Sequence, residues 1–368
     1  MKLLAACSPG EVRVAAVDGA GLVDYAVWRP GAPDGVGDLH RGRVAAMVPA
    51  MAGAFVRLES SADGFLPDSE RDAGLSEGQA VAVRITRAAG GGKGPRLTAR
   101  LAAAEQALAG AGSPALLRRG PGAVERLAAL HPDVPVELDD AAVAAALRPV
   151  LGGRLRVVRA AFDDTLAAEA EALAEPEAAL PGGARMSVHP TPALTAIDID
   201  LAAATGARGG KARTQFAANR ALLPALAQQI RLRNLSGAIL VDLGGVSAAR
   251  RTRLGPELQA ALAADPLAPR LLGFTALGLA ELLRPRAHPP LHEVLAGPHA
   301  AGLAALRAAD KAFAAFPHGA PALRAAPAVE ATLRADPVAL ADWQRRTGRP
   351  FPVRADPALT GCTWSLDP

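Results

Sequence analysis

Apolar and polar residues alternate along several short segments of the chain, the spacing expected of strands with one buried face. VRVAAVDG and GLVDYAVWRP show this alternation on either side of Asp18-Gly19 and predict a β-hairpin. Between residues 36 and 104, about five strand-like segments are separated by glycine-rich joints. This second region predicts a small β-barrel of the OB type, whose open face commonly binds single-stranded nucleic acid.

A helical spacing of apolar residues dominates much of the remaining chain. Residues 105–190 are rich in alanine and leucine. There, SPALLRRGPGAVERLAAL predicts strand, turn and helix, and RLRVVRAAF predicts a strand before the helix DDTLAAEAEALAE. Further on, ARRTRLGPELQAALAADP predicts a helix, and LLGFTALGLAELLRPR predicts a strand, a turn and a helix. The last part predicts a helical segment and two short strands, with Trp343, Phe351 and Trp364 in a small core.

Carboxylates stand at the ends of two apolar strands. TAIDID places Asp198 and Asp200 on one face and Ile197 and Ile199 on the other. AILVDL brings Asp242 to the end of the second strand. Oxygen ligands of this kind suit Mg²⁺, which can activate water at a phosphodiester. Aspartate also ends strands because it favours turns, and Asp-x-Asp pairs serve metal-dependent sugar transfer too. The acids alone therefore leave their role open.

An arginine-rich amphipathic helix is predicted between the two acidic strands. Pro224 is compatible with a helix that starts near it or with one that kinks there. The predicted buried stripe consists of Leu226, Ala227 and Ile230. This arrangement leaves Arg231 or Arg233 able to face solvent or RNA.

Composition favours a soluble protein of two or more domains, because 368 residues can bury sizeable cores. No apolar run approaches the ~20 residues that cross a bilayer. The net charge is +4, and arginine supplies most of the positive charge. The arginine side chain suits phosphate recognition, although biased codon usage produces the same composition. Cys7 and Cys362 form neither a disulfide framework nor a zinc motif, which favours a reducing, cytoplasmic compartment.

The motifs ALTAIDID, RGG, QQIRLRNLSG and AILVDL follow one another between residues 193 and 243. This order resembles the catalytic domain of the ribonuclease E/G family, where the pattern reads ALTAIDIN, RGG, RQLRLRDLGG and IVIDF. The resemblance implies a Mg²⁺-dependent endoribonuclease that cleaves single-stranded RNA. It implies Asp198 and Asp242 as metal ligands and Asp200 as the residue that orients the attacking water.

The barrel segment AFVRLESSADGFLPDSE resembles the S1-type RNA-binding domain of the same family. There two phenylalanines form a pocket for a base, and Phe55 and Phe65 stand at their positions. Arg43, Lys93 and Arg96 are candidate phosphate contacts. The alternatives are that the phenylalanines are ordinary core residues and that the basic residues form a solvated face.

The resemblance implies an α+β multidomain chain: an OB-fold barrel inserted in an RNase H-like subdomain, a DNase I-like α/β catalytic domain and a small C-terminal domain. The expected ranges are 1–35 and 105–176 for the two RNase H-like halves, 36–104 for the barrel, 177–290 for the catalytic domain and 300–368 for the last domain. Arg284 and Arg286 fall near basic residues of the family's ISRFGLLEMSRQR stretch.

Two features of larger family members are not expected here. PPLHEVLAGPHAAG lacks the cysteines of the family's zinc-binding CPxC, so we expect neither structural zinc nor a zinc-bridged dimer. The interval between the barrel and the catalytic strand leaves little room for a sensor of the RNA 5′ end, so no 5′-monophosphate dependence is expected.

The chain departs from the family pattern near the acids. Asp200 stands where asparagine is common, Gly245 replaces a second acid, and residues 211–215 replace an acidic run after RGG. These departures motivate an alternative, an RNA-binding protein with a degenerate nuclease site. A third possibility is a non-nucleolytic binding or assembly module that uses its arginine surface. Single-stranded RNA is the expected partner in the first two cases, with no membrane.

Overall fold

The computed structural model describes residues 1–59, 63–71, 74–201, 211–315 and 322–367. The strands in these ranges are β1 Lys2–Ser8, β2 Glu11–Asp18, β3 Gly21–Trp28, β4 Leu39–Val48, β5 Gly53–Arg57, β6 Gly64–Pro67, β7 Ala80–Arg87, β8 Arg96–Thr98, β9 Ala115–Arg118, β10 Val136–Leu138, β11 Leu155–Val157, β12 Glu177–Ala179, β13 Arg185–Pro190, β14 Thr195–Asp200, β15 Gly237–Leu243, β16 Arg270–Phe274, β17 Ala280–Arg284, β18 Ala322–Ala325, β19 Val353–Ala355 and β20 Trp364–Asp367.

The helices in the same ranges are α1 Ala103–Ala107, α2 Ala123–Leu130, α3 Ala141–Leu151, α4 Asp164–Ala172, α5 Lys211–Leu232, α6 Ala248–Arg251, α7 Gly255–Leu262, α8 Leu291–Val294, α9 Gly297–Ala315, α10 Pro327–Arg334 and α11 Pro337–Thr347. Among them, no helix has the length and apolar character needed to cross a bilayer. The chain forms two compact units. One comprises residues 34–122 with 286–289, and the other comprises 1–33, 123–285 and 290–368.

The smaller unit contains the predicted barrel. Its strands run in the order β5, β6, β8, β7 and β4, and pairing of β4 with β5 closes the ring, while β9 adds to the outer side of β4. The alternating apolar residues fill the interior, with Val56, Leu66, Val83 and Leu97 at its centre. An OB-like closed barrel within an α+β chain is therefore confirmed.

In the larger unit, a first mixed sheet has the strand order β11, β10, β1, β2, β3. The predicted hairpin is confirmed as β2 and β3, with β1 antiparallel to β2 on the other side. Residues of alternating strand positions pack against α2 and α3 on one face and against α4 on the other. The elements predicted around residues 113–130 and 154–172 are confirmed as β9, α2, β11 and α4.

The acidic strands lie in a second mixed sheet, ordered β12, β13, β14, β15, β17, β16. β14 and β15 are parallel neighbours, and α5 is the connection between them that packs on the sheet. The helix predicted at the end of LLGFTALGLAELLRPR is wrong, because that segment is strand β17 between β15 and β16. Its buried residues, Ala280, Leu282 and Arg284, alternate as strand positions do.

Helix α5 is continuous through Pro224. The predicted stripe of Leu226, Ala227 and Ile230 is buried against the sheet, as expected. The prediction that Arg231 or Arg233 faces solvent or RNA is wrong. Arg231 forms an ion pair with the largely buried Asp24 on β3, and Arg233 is only 5% exposed and donates to a backbone carbonyl. Partners distant in sequence therefore draw both guanidiniums inward.

The last part of the chain forms a three-stranded sheet, β19, β18, β20, packed against α9, α10 and α11. Trp343 and Phe351 are buried in its core and the half-buried Trp364 packs on them, which confirms the predicted small core.

Candidate metal centre and nucleic-acid interface

The register of two parallel strands brings the predicted acids together. Asp198 on β14 is the register partner of Asp242 on β15. Adjacent strands lie about 4.8 Å apart, and alternation sends both side chains to the same face. The opposite face carries Ile197 and Val241, which pack into the core beneath α5. Burial of the apolar face therefore fixes both carboxylates on the other, solvent-facing side.

Asp200 is the last residue of β14 and lies on the same face as Asp198. It is exposed, and its register partner across β13 is Arg185, which forms an ion pair with Glu177 on β12. The guanidinium of Arg185 is therefore paired with Glu177. The formal negative charge of Asp200 adds to the charges of Asp198 and Asp242.

Asp242 contacts a basic residue that sequence reasoning did not single out. Nη1 of Arg251, the last residue of α6, lies 2.6 Å from Oδ1 of Asp242. The sequence indicated basic residues in this helix, but none of them was assigned to the site. The signal was weak because the contact depends on how α6 folds back toward β15.

The turn after Asp242 is tightly packed. Asn219 on α5 is fully buried and donates from Nδ2 to the carbonyl of Gly244 at 2.8 Å. A Cβ at Gly244 would lie 2.4 Å from the carbonyl oxygen of Ile199. Gly245 has φ +77°, and a Cβ there would meet the side chain of Gln215 at 2.7 Å. An L-residue at Gly245 would be strained, so this turn cannot hold the family's second acid without rearrangement.

The donor set fits a hard divalent cation, although it is small. Within the described ranges, no cluster of three or more His, Cys, Asp or Glu side chains is arranged to hold a metal. The register pair of Asp198 and Asp242 supplies two carboxylates. Mg²⁺ is commonly bound by one or two carboxylates together with waters and substrate phosphate oxygens. These two residues are thus sufficient in kind for Mg²⁺ held jointly with a phosphate.

The RGG motif at 208–210 lies outside the described residues, as do the side chains of Lys211 and Ala212. The described remainder of the region that replaces the acidic run begins with the exposed Arg213 in the first turn of α5.

In the barrel, Phe55 on β5 and Phe65 on β6 are register partners. Their rings meet edge to face with centroids 5.7 Å apart, and both side chains are half-buried. A Cβ at Gly53 would lie 2.5 Å from the Phe65 ring, so glycine makes room for it there. The pair thus forms part of the barrel surface, where a base could reach it.

Basic residues gather beside this aromatic pair. Arg96 on β8 is the register partner of Phe65, and it also pairs with Arg87 on β7. Burial, and then the positive charges of Arg96 and Arg286, lower the pKa of Arg87. Several guanidiniums at one place attract phosphate. Arg87 was not among the predicted RNA contacts, and its position in a strand adjoining Arg96 is the signal that could have found it.

The other predicted basic residues are placed differently. Lys93 is exposed in the tight turn closed by the bridge to Gly90. Arg43 donates to the carbonyls of Gly78 at 2.7 Å and Gly112 at 3.1 Å, so its guanidinium braces two loops. Arg284 is buried with Asp265 at 2.6 Å and supports the sheet interior.

Sequence comparison with known proteins finds similarity to ribonucleases E and G. Residues 157–287 match the sequence profile of the Ribonuclease E/G family. Ribonuclease E of Nostoc sp. PCC 7120 is 36% identical over 130 residues, which cover 35% of this chain and 18% of that protein. Ribonuclease E of Escherichia coli K12 is 25% identical over 397 aligned positions, covering 79% of this chain and 37% of that protein.

Ribonuclease G of Escherichia coli K12 is 35% identical over 117 residues, which cover 32% of this chain and 24% of that protein. The chain thus spans well under half the length of these relatives. The matched family segment contains β14, α5 and β15, and with them all three aspartates.

Proposed function

Because the chain belongs to the ribonuclease E/G family, we propose that it is a Mg²⁺-dependent endoribonuclease that cleaves single-stranded RNA. The observation that carries the proposal is the register pairing of Asp198 with Asp242 on the open face of the sheet, inside the matched family segment. Two carboxylates in this position, next to a phosphate, form a ligand set suited to Mg²⁺.

Asp198 and Asp242 would hold the metal, and Asp200 would orient the attacking water from the same face of β14. Bound Mg²⁺ supplies a more acidic water and neutralises charge on the phosphate. Water adds to phosphorus as the bond to the 3′ oxygen breaks, leaving a 3′ hydroxyl and a 5′ phosphate. Asp200 accepts a hydrogen bond from that water, because an ionised carboxylate acts only as an acceptor.

The barrel would bind the substrate. Phe55 and Phe65 hold one base by stacking, and Lys93 and Arg96 contact neighbouring phosphates. The adjacency of Arg96 to Phe65 supports this arrangement, because it puts a guanidinium beside the aromatic pair. Arg43 stays in the proposed set, because it is exposed and its two carbonyl contacts hold the guanidinium in place.

The finer architecture is part of the same proposal. The first sheet is RNase H-like and is split by the barrel, the second sheet is DNase I-like, and the ranges are those given by the resemblance.

The protein acts in RNA processing or decay in the cytoplasm, a location that Cys7 and Cys362, both free thiols, support. It needs no structural zinc, no zinc-bridged dimer and no 5′ monophosphate on its substrate.

The degenerate-site alternative rests on specific residues. Gly245 cannot carry the second acid without backbone strain, and Arg213 follows where the family has acids. On this alternative, the barrel alone carries the function, and RNA is bound with a steep salt dependence but is not cut.

One experiment separates the two. A fluorescent single-stranded RNA is incubated with the natural chain in Mg²⁺, in Mg²⁺ with EDTA, and with the variants Asp198→Ala and Asp242→Ala. Cleavage only by the natural chain and only with metal supports the nuclease. Asp133→Ala, an exposed aspartate outside the sheet of acids, is the matched control and should cut normally. Binding without cleavage in every sample supports the alternative.

A further inference from the structure

Arg251 holds one oxygen of Asp242 and leaves the other exposed. The contact of Nη1 with Oδ1 is 2.6 Å, and the side chain of Arg251 is 13% exposed whereas that of Asp242 is 43% exposed. Oδ1 itself is sealed from solvent and accepts no hydrogen bond within the described residues, so its contact with Arg251 is an ion pair. The exposed part of the Asp242 side chain therefore includes Oδ2, on the face that Asp198 shares.

Backbone carbonyls fix the guanidinium where it lies. Nε donates to the carbonyl of Val246 at 2.9 Å, and Nη1 reaches that of Gly278 at 3.4 Å. Gly278 has φ +84°, and a Cβ there would lie 2.9 Å from Ala248 Cβ, so the turn before β17 packs closely on α6. Arg251 thus ties together the end of β15, the segment after it and the β16–β17 turn, and it cannot swing freely.

Building on the proposed function, we propose that Arg251 is a positioning residue that anchors Oδ1 of Asp242 and presents Oδ2 to a divalent cation shared with Asp198. Groups that contact metal ligands from behind orient those ligands and tune the metal site, and here the contact is the ion pair of Arg251 with Oδ1. The guanidinium of Arg251 is only 13% exposed and is held by two carbonyl contacts, so it restricts rotation of the Asp242 carboxylate.

The charge of Arg251 has a separate and opposite effect. Asp198, Asp200 and Asp242 are formally anionic, and one guanidinium reduces the net charge of the site to about −2. Asp200 contributes a charge where the family pattern often has a neutral asparagine, and Arg251 offsets it. A variant that lacks Arg251 should therefore bind a cation more tightly, but its Asp242 should be less well oriented for reaction.

A direct measurement of metal binding separates the effect of charge from the effect of orientation, because metal affinity is measured independently of RNA cleavage. The full chain is titrated with Mn²⁺ by calorimetry, and single-turnover RNA cleavage is measured at saturating metal. Arg251→Met should bind Mn²⁺ about tenfold more tightly, because a nearby positive charge is gone, and should cut at least about tenfold more slowly. Arg251→Lys keeps the positive charge but not the planar guanidinium. Its Mn²⁺ affinity should therefore equal that of the natural chain, and its cleavage rate should lie between those of the natural chain and Arg251→Met.

Arg253→Met is the matched control, since Arg253 is exposed two positions further on, and it should change neither quantity. If Arg251→Met does not fold, Arg251→Gln, also neutral, takes its place with the same expectations. Unchanged or weaker Mn²⁺ binding by the neutral variants overturns the inference. The proposed function then still stands if Asp198→Ala abolishes Mn²⁺ binding. Failure of the natural chain to bind Mn²⁺, or retention of binding in Asp198→Ala, overturns the metal site itself and this inference with it.

Discussion

The aromatic pair in the barrel and the acidic pair in the second sheet are assembled over different distances in sequence. Phe55 and Phe65 face each other across two strands that follow one another directly in the chain. Asp198 and Asp242 meet only after α5 has carried the chain from β14 to β15. The first arrangement depends on one antiparallel pairing. The second depends on a parallel register, which a packed crossover helix must set.

This difference affects how each site responds to change. A substitution in the aromatic pair removes contact area for a base but leaves a ring of five strands closed around its own core. The acidic pair shares its strands with the core beneath α5, so changes that shift the register move both carboxylates. Substitutions in the barrel should therefore weaken RNA binding step by step, whereas a single substitution that shifts the β14–β15 register should abolish the acidic site.

The largest expected effect is at the acidic pair. Asp198→Asn and Asp242→Asn should each lower the cleavage rate by a factor of about 10³ or more, because a neutral amide is a poor ligand for Mg²⁺. RNA binding at the barrel should change by less than about twofold. Single-turnover cleavage and fluorescence anisotropy on one labelled RNA measure the two quantities, and a parallel loss of both would contradict separate sites.

A smaller effect is expected at the aromatic pair. Phe65→Ala should weaken single-stranded RNA binding by about 1–3 kcal/mol, the usual contribution of one stacked base. Phe162→Ala, which removes a half-buried phenylalanine from the other unit, is the matched control and should bind normally. Equal affinity of Phe65→Ala and the natural chain, together with equal cleavage, would remove the stacking role.

Gly245 permits a test of whether the missing acid can be restored. Gly245→Asp should not raise the cleavage rate and should destabilise the fold by about 1–2 kcal/mol, because φ there is +77° and Gln215 occupies the space. Thermal unfolding of Gly245→Ala provides the comparison, since it imposes the same backbone strain without charge. A rise in activity with normal stability in Gly245→Asp would mean that the turn adapts.

Asp200→Asn should have a milder effect on cleavage than substitution of either proposed metal ligand, Asp198 or Asp242. The family pattern carries asparagine at this position, and asparagine still accepts a hydrogen bond from water. The expected rate lies within about tenfold of the rate of the natural chain. The Mg²⁺ concentration that gives half of the maximal rate should rise, because one negative charge near the cation is lost. A Mg²⁺ titration of the cleavage rate measures this, and a loss as deep as that of Asp198→Asn would instead make Asp200 a ligand.

The smallest effect concerns the barrel alone. His40 on β4 is buried, and burial lowers the pKa of its imidazole. A lowered pKa in the folded state means that the unfolded chain binds more protons near pH 6, so barrel stability falls as pH decreases through this range. Unfolding at pH 7.5 and 5.5 should show a loss below about 1 kcal/mol, which His40→Gln should diminish. A gain of stability at low pH would reverse the sign and refute the account.

Much of both regions could be read from the order of residues, and the reasons are physical. Alternation identified β2, β3, β14 and β15, and the helical stripe of α5 appeared because burial repeats along one face. The segment of β17 was misjudged as helix, because GLAELLR suits either period and only its neighbours β15 and β16 decide.

Contacts between distant residues were not accessible in this way. Arg231 or Arg233 was expected to face solvent or RNA, but the partner of Arg231 is Asp24, on a strand near the start of the chain. Arg251 lies only nine positions after Asp242, yet the contact requires α6 to fold back, which no periodicity encodes. The direction of a charged side chain depends on a partner that the tertiary structure supplies.

The place of the barrel in the chain has a consequence for synthesis. β1 pairs in parallel with β10, so Leu3 lies beside Val136, and the whole barrel is encoded between them. On a ribosome, the hairpin of β2 and β3 and the complete barrel emerge before β10 exists. One edge of β1 therefore stays open while the barrel folds, and such an edge can pair with another chain. The barrel, which closes on itself, gives the nascent chain a folded body during that interval.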